Sequence, residues 1–189
     1  FETLRELLGR ALATERPATL WGQASEIQDD SWDLALTAKG LLDAARLLDG
    51  RYHFVITNVP YLVRGKQHDA LRHYCHTHYR EAMNDLANVF IERCLELAKD
   101  GHSGVVQVVV PQNWLFLVSY KKFREKLLRT RAWNLLARLG PGAFETVSGG
   151  VVNVALLALS NGEAMGDHSL RGVEASAERT ASEKAIRLR

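Results

Sequence analysis

The chain has 189 residues, enough for one ordinary domain with its own core, and nothing in it demands a second. It is 47% hydrophobic and 24% charged, the balance of a globular fold rather than a disordered chain. A net charge of +2 does not by itself mark a nucleic-acid binder, Cys75 and Cys94 make no disulfide framework, and no apolar run reaches the roughly 18 to 20 residues of a membrane span. With no signal peptide either, the expected setting is a reducing cytoplasm. The chain opens at Phe1, without an initiator Met and inside a helical pattern, as expected of a piece of something longer.

Residues 1–13 place Leu4, Leu7, Leu8, Ala11 and Leu12 on one helical stripe, which Pro17 ends. A second helix is expected from Ser31, as N-cap, to Leu48, with Gly50 as its stop. Residues 52–57 form a short β-rich run that breaks abruptly at Asn58, Val59, Pro60 and Tyr61. A polar, His-rich loop is expected over residues 63–83, after which Asn84 or Asp85 caps a helix with Leu86, Phe90, Cys94 and Leu97 on one face. Asp100 and Gly101 turn the chain into residues 104–110, a continuous apolar run suited to a strand buried on both faces. Ser119 should open a helix with Phe123 and Leu127 inward and Lys121, Lys122, Arg124 and Lys126 outward. Residues 133–139 and 151–159 read as two strands joined through a Gly-rich segment at 140–150, and the polar remainder from Asn161 reads as a linker.

Alternating strands and helices predict an α/β sheet. The last two strands lack a helix between them, so they should form an antiparallel pair closing an otherwise parallel sheet. In such a fold the site belongs at the carboxyl ends of the strands, where the irregular 58–61 loop falls.

Phe54, Val55, Ile56 and Thr57 running into Asn58, Val59, Pro60 and Tyr61 resemble the strand and Asn-Pro-Pro-Tyr loop of amino-group DNA methyltransferases, with Val59 in the first proline position. The resemblance continues along the chain. Asp85, Leu86, Phe90, Ile91 and Glu92 are similar to the family's next helix; Lys99 to Gly101, then 105–115, to its following turn and strand. Tyr120, Phe123, Arg124 and Leu127 fit the helix after that, and Phe144 before residues 151–159 fits the closing pair. It covers about residues 52–160 and is most like the large adenine-N6 methylases of type II restriction–modification and phage-exclusion systems.

The resemblance implies the C-terminal half of a Rossmann-like methyltransferase sheet behind an N-terminal helical segment. Residues 1–50 would be a helical insertion, 51–160 the catalytic half, and 161–189 a linker toward a target-recognition region. It implies methyl transfer from S-adenosylmethionine to the N6 amine of a flipped adenine in double-stranded DNA. That amine is a poor nucleophile because its lone pair is delocalised into the ring. Two acceptors on its hydrogens favour sp³ character and aim the lone pair at the donor. The Asn58 side-chain carbonyl would be one acceptor and the main-chain carbonyl of Val59 the other, so a valine need not remove it. Pro60 still restricts Val59 to extended angles. Tyr61 would stack on the extruded base or else pack under the loop, and Phe144 is the candidate for the base's other face or else a core residue. Arg64 and Lys66 are candidates for phosphate contacts, and Asp85 for a helix cap neighbouring the cofactor.

Three rival readings stand beside this one. Related loops modify cytosine N4, RNA adenine or protein glutamine, and a non-catalytic α/β DNA-binding module would bury Asn58 and Tyr61 as structural groups. The cluster His68, His73, Cys75, His76 and His78 matches no regular ligand spacing, so no metal is expected. No glycine-rich turn follows a strand before Tyr52, since Gly9 and Gly22 lie in helical or loop contexts; the cofactor half is expected upstream, and this chain alone should be inactive. The strand at 52–57 would then present a bare edge, covered either by residues 1–48 or by a second copy in a homo-oligomer.

Overall fold

The computed structural model of the protein describes residues 26–144 and 152–189. The helix expected at residues 1–13, its stop at Pro17, and the segment 145–151 lie outside the described residues. Tertiary contacts divide the chain into two units, 1–50 and 51–189. In the first, helix α1 (Glu26–Asp49) begins before Ser31, which therefore sits inside the helix and not at its cap. Gly50 ends it, donating its N–H to the Leu47 carbonyl at 3.3 Å.

The second unit is a five-stranded sheet. Its elements run β1 (Phe54–Asn58), α2 (Asp69–His78), α3 (Leu86–Leu97), β2 (Gly101–Pro111), α4 (Lys121–Thr130), β3 (Ala132–Gly140), β4 (Val154–Asn161), β5 (Arg171–Glu174) and α5 (Ala181–Arg187). The strand order is β1-β2-β4-β3-β5. β1 and β2 are parallel, β4 is antiparallel to both β2 and β3, and β5 runs parallel to β3. The expected antiparallel strand is present, as β4 inserted between β2 and β3.

Strand periodicity decides what each face does. Val55 and Thr57 sit on the face of Val106, Val108, Val110, Leu157 and Leu159. Those five residues are buried in one core with Ile91, Cys94 and Leu95 of α3 and Phe123 and Leu127 of α4. Trp114 closes this core, edge-on to Phe123 at 5.3 Å between ring centres. The opposite face carries Phe54 and Ile56, each 70% exposed, beside Val105, Gln107 and Val109. β1 is at the sheet's edge, and among the described residues nothing pairs with its outer side.

Three segments differ from the sequence expectation. The His-rich stretch at 63–83 is largely helical: a 3-10 turn (Arg64–Lys66) leads into α2, whose first turn the His68 ring caps by accepting from the Ala70 N–H. Histidines and Asp69 gave this helix a polar surface, while Cys75 supplies its one buried position. Ser119 does not cap α4; it lies in a 3-10 turn (Val118–Tyr120) that feeds the helix.

The third is the segment read as a linker. Asn161 is the buried last residue of β4, and its amide donates to the carbonyls of Leu95 at 3.1 Å and Ala98 at 3.0 Å, tying β4 to the end of α3. Beyond it, β5 extends the sheet and α5 is closed by a capping box of Thr180 and Glu183. Gly140 turns at φ +65° against Ser176, where a side chain would collide with that residue's backbone. Low hydrophobicity hid these elements because an edge strand and a one-face helix bury few side chains: the buried groups here are Ala175, on the connection between them, and Lys184, whose ammonium donates to the Ala175 and Glu178 carbonyls.

Candidate active site

β1 delivers Asn58 to the carboxyl end of the sheet, paired with Val109 of β2. There the chain leaves the strand, and the next residues alternate in exposure. Asn58 and Pro60 are exposed, Val59 is buried in the main core, and Tyr61 is half-buried. Val59 therefore anchors the loop by packing, at the position where the family's loop uses a rigid ring. Tyr61 touches the hydrophobic clusters on both sides of the sheet's end, including the neighbourhood of Val109 and Leu156. Its hydroxyl donates to the Asn58 side-chain oxygen at 3.4 Å, so the two polar groups share one exposed corner.

Behind the loop lies a buried carboxylate. Asp85 is 3% exposed, and its Oδ1 accepts the Ala87 N–H at 3.0 Å as the N-cap of α3 and the Leu62 N–H at 3.3 Å. Burial, and secondarily the Asp85 charge, push the hydroxyls of both Tyr61 and Tyr120 up to about 12. The segment after the loop is also stitched to α3 by its backbone. Leu86 N–H donates to Leu62 at 3.0 Å, Arg64 N–H donates to Asn84 at 2.9 Å, and Val63 bridges Asp85.

The structure thus joins Asn58, Val59, Tyr61 and Asp85 in one bonded and packed unit, with Pro60 exposed between them. Lys66 follows on the exposed side of the 3-10 turn. Arg64 is half-buried, with one guanidinium nitrogen out of solvent and unbonded, and its charge opposes the upward push that burial gives the Cys75 thiol. Phe144 is exposed on the connection between β3 and β4, next to Ala143, which packs on the same small cluster as Tyr61. Among the described residues no group of three or more His, Cys, Asp or Glu is placed to hold a metal ion.

Sequence reasoning missed Gln67, 5% exposed, whose Nε2 donates to the Leu62 carbonyl at 3.0 Å. A glutamine in a polar stretch gives no sign of burial. It also missed Asn88, buried in the first turn of α3 with neither amide atom bonded. Its signal was available: Asn88 shares a helical face with Ile91 and Leu95.

A mostly parallel α/β sheet, with an Asn-Val-Pro-Tyr loop leaving the carboxyl end of a parallel strand, defines part of a class I methyltransferase fold. The chain belongs to the Eco57I restriction-modification methylase family, whose profile matches residues 11–143. It is similar to the adenine-specific methyltransferase PglX of Lacticaseibacillus casei (strain Zhang), at 28% identity over 149 residues, which is 78% of this chain and 12% of that protein. Two solved structures share the fold. The Type ISP restriction-modification enzyme LlaGI, a nuclease-deletion mutant in complex with a DNA substrate mimic, superposes with a TM-score of 0.54 at 16% identity, over 77% of this chain and 16% of that one. A Listeria monocytogenes protein assigned as a class I S-adenosylmethionine-dependent methyltransferase gives 0.53 at 17% identity, over 74% and 41%.

Proposed function

We propose that this chain is the base-holding half of an adenine-N6 DNA methyltransferase, acting within a longer protein in restriction–modification or phage defence. The observation that carries the reading is the loop's division of labour: Asn58 exposed at the strand's end, Val59 buried beneath it, Tyr61 alongside. Asn58 Oδ1 and the Val59 carbonyl accept the two amine hydrogens of an extruded adenine, and the Tyr61 ring stacks on the base. The Tyr61 hydroxyl, which donates to Asn58 here, yields that acceptor to the incoming amine. Phe144 would take the base's other face. Lys66, and the half-buried Arg64, would contact DNA phosphates.

S-adenosylmethionine supplies the methyl group in this reading, but the described residues do not fit it by themselves. No described strand passes through a glycine-rich turn into a helix, and Asp85 Oδ1 is already engaged by two backbone N–H groups. The cofactor half and a target-recognition region would lie elsewhere in the longer protein, with Asp85 a neighbour of the former at most. The site's rivals, cytosine N4 or another amine, are separated by nucleoside analysis of the methylated product. In the full-length protein, Asn58→Ala should lower kcat on the order of 10² to 10³-fold with DNA binding retained. Methylation within a few-fold of wild type would overturn the assignment of Asn58.

A further inference from the structure

Leu62, the first residue after the loop, is held from three directions. Its N–H donates to Asp85 Oδ1 at 3.3 Å, and its carbonyl accepts from the Leu86 N–H at 3.0 Å and from Gln67 Nε2 at 3.0 Å. The two side chains in this grip are almost fully buried, which is unusual for Asp and Gln. Neither needs Leu62 for its local structure. Asp85 already caps α3 through Ala87, and Gln67 follows a 3-10 turn closed by its own backbone N–H to Arg64. Their extra bonds go to the residue that fixes where the loop ends.

We propose that Asp85 and Gln67 are positioning residues that clamp the Leu62 backbone, so that the Asn58–Tyr61 loop is presented in one geometry to its substrate amine. The inference rests on the reading of that loop as the amine-orienting element. Val59, buried in the core, fixes the entrance, and the Leu62 clamp fixes the exit. Between the two anchors only Pro60 and Tyr61 remain, and proline has a fixed φ. A loop held this way keeps the Asn58 and Val59 acceptors at a constant separation, which matters because a misplacement of about 1 Å can cost 10²-fold in rate. The acceptor that matters is an oxygen, not a charge: an asparagine at 85 offers the same Oδ1 to Leu62 and Ala87.

The test is single-turnover and steady-state methylation by the full-length protein. Asp85→Ser retains a helix-capping oxygen on a side chain too short to serve Leu62 as well. Gln67→Leu removes the donor to the Leu62 carbonyl and leaves the cap untouched. Each should lower kcat about 10 to 100-fold, with KM for S-adenosylmethionine and the melting temperature nearly unchanged, and Asp85→Asn should restore kcat to within about three-fold. Wild-type kcat in both Asp85→Ser and Gln67→Leu, a change in KM alone, or a loss in Asp85→Asn equal to that in Asp85→Ser would overturn the clamp. If Asp85→Ser fails to fold, Gln67→Leu decides alone. Asn58→Ala run in parallel separates the two claims. If it stays active, the loop reading fails; if it is silent while both clamp variants turn over normally, only the clamp fails.

Discussion

The two faces of the sheet are built from the same strands and could hardly differ more. On one, Val106, Val108, Val110, Leu157 and Leu159 disappear beneath α3 and α4. On the other, Phe54 and Ile56 stand 70% exposed beside Gln107. Since neighbouring residues in a strand point to opposite faces, the difference is not one of composition but of what the chain folds over each side. α3 lies on the connection from β1 to β2, after α2, and α4 on that from β2 to β3, so local connectivity covers their face. The other face is apolar at β1 without a described partner, the pattern of a surface made to be covered.

The comparison predicts a steep asymmetry in stability. Phe123→Ala, at a fully buried position against Trp114, should cost about 3 to 5 kcal/mol in urea unfolding of this chain. A cost under 1 kcal/mol would mean the covered face is not the core that holds the unit together. Tyr61 sits where the two faces meet at the sheet's end, and there the expected effect passes to binding. Tyr61→Ala in the full-length protein should weaken retention of an extruded adenine by about 1 to 3 kcal/mol, while Tyr61→Phe keeps the ring and stays mild. The readout is fluorescence of 2-aminopurine at the target position; equal signals from wild type and Tyr61→Ala would remove the stacking role.

A third prediction uses groups buried at the covered face and the loop behind it. Burial pushes the Cys94 thiol up to about 11, and burial with Asp85 pushes Tyr61 and Tyr120 up to about 12. Each group is neutral when protonated, and the folded chain holds its proton to higher pH than the unfolded one. The stability is therefore complete below about pH 9 and drains away between the unfolded and folded values, across roughly pH 9 to 12. Melting temperature should fall steeply over that window, and Tyr120→Phe should flatten the fall. No alkaline loss below pH 11 would show these groups to be wetter than their burial implies.

How much of this was legible in sequence follows from the same asymmetry. The strand running into Asn58, Val59, Pro60 and Tyr61, the α3 cap at Asp85 and the inward Phe123 and Leu127 all announce themselves through periodicity or a local motif. What stayed hidden were long-range contacts between polar residues. Asn161 reaching Leu95 and Ala98 depends on where the chain returns, which no spacing encodes. Gln67 reaching Leu62 and the capping box of α5 are local by contrast, and the Thr180–Glu183 spacing of that box was there to be read. β5 hid for another reason: it borrows its stability from β3 and carries little apolar area of its own.

The smallest expected effect is the sharpest test of the two faces, because it uses adjacent residues of one strand. Val55 and Ile56 have the same β propensity and differ by one methylene, but Val55 packs against the core and Ile56 faces away from it. Val55→Thr places a hydroxyl at a half-buried position with no partner provided for it, and should cost about 1 kcal/mol. Ile56→Thr keeps a β-branched side chain at an exposed position and should change stability by no more than about 0.5 kcal/mol. Both are read from urea midpoints at constant m-value. If Ile56→Thr proves the costlier of the two, the face of Phe54 and Ile56 is already covered in solution, by a second copy or by residues outside those described. A midpoint that rises with protein concentration in the wild type and not in Ile56→Thr would then identify the cover as a second copy.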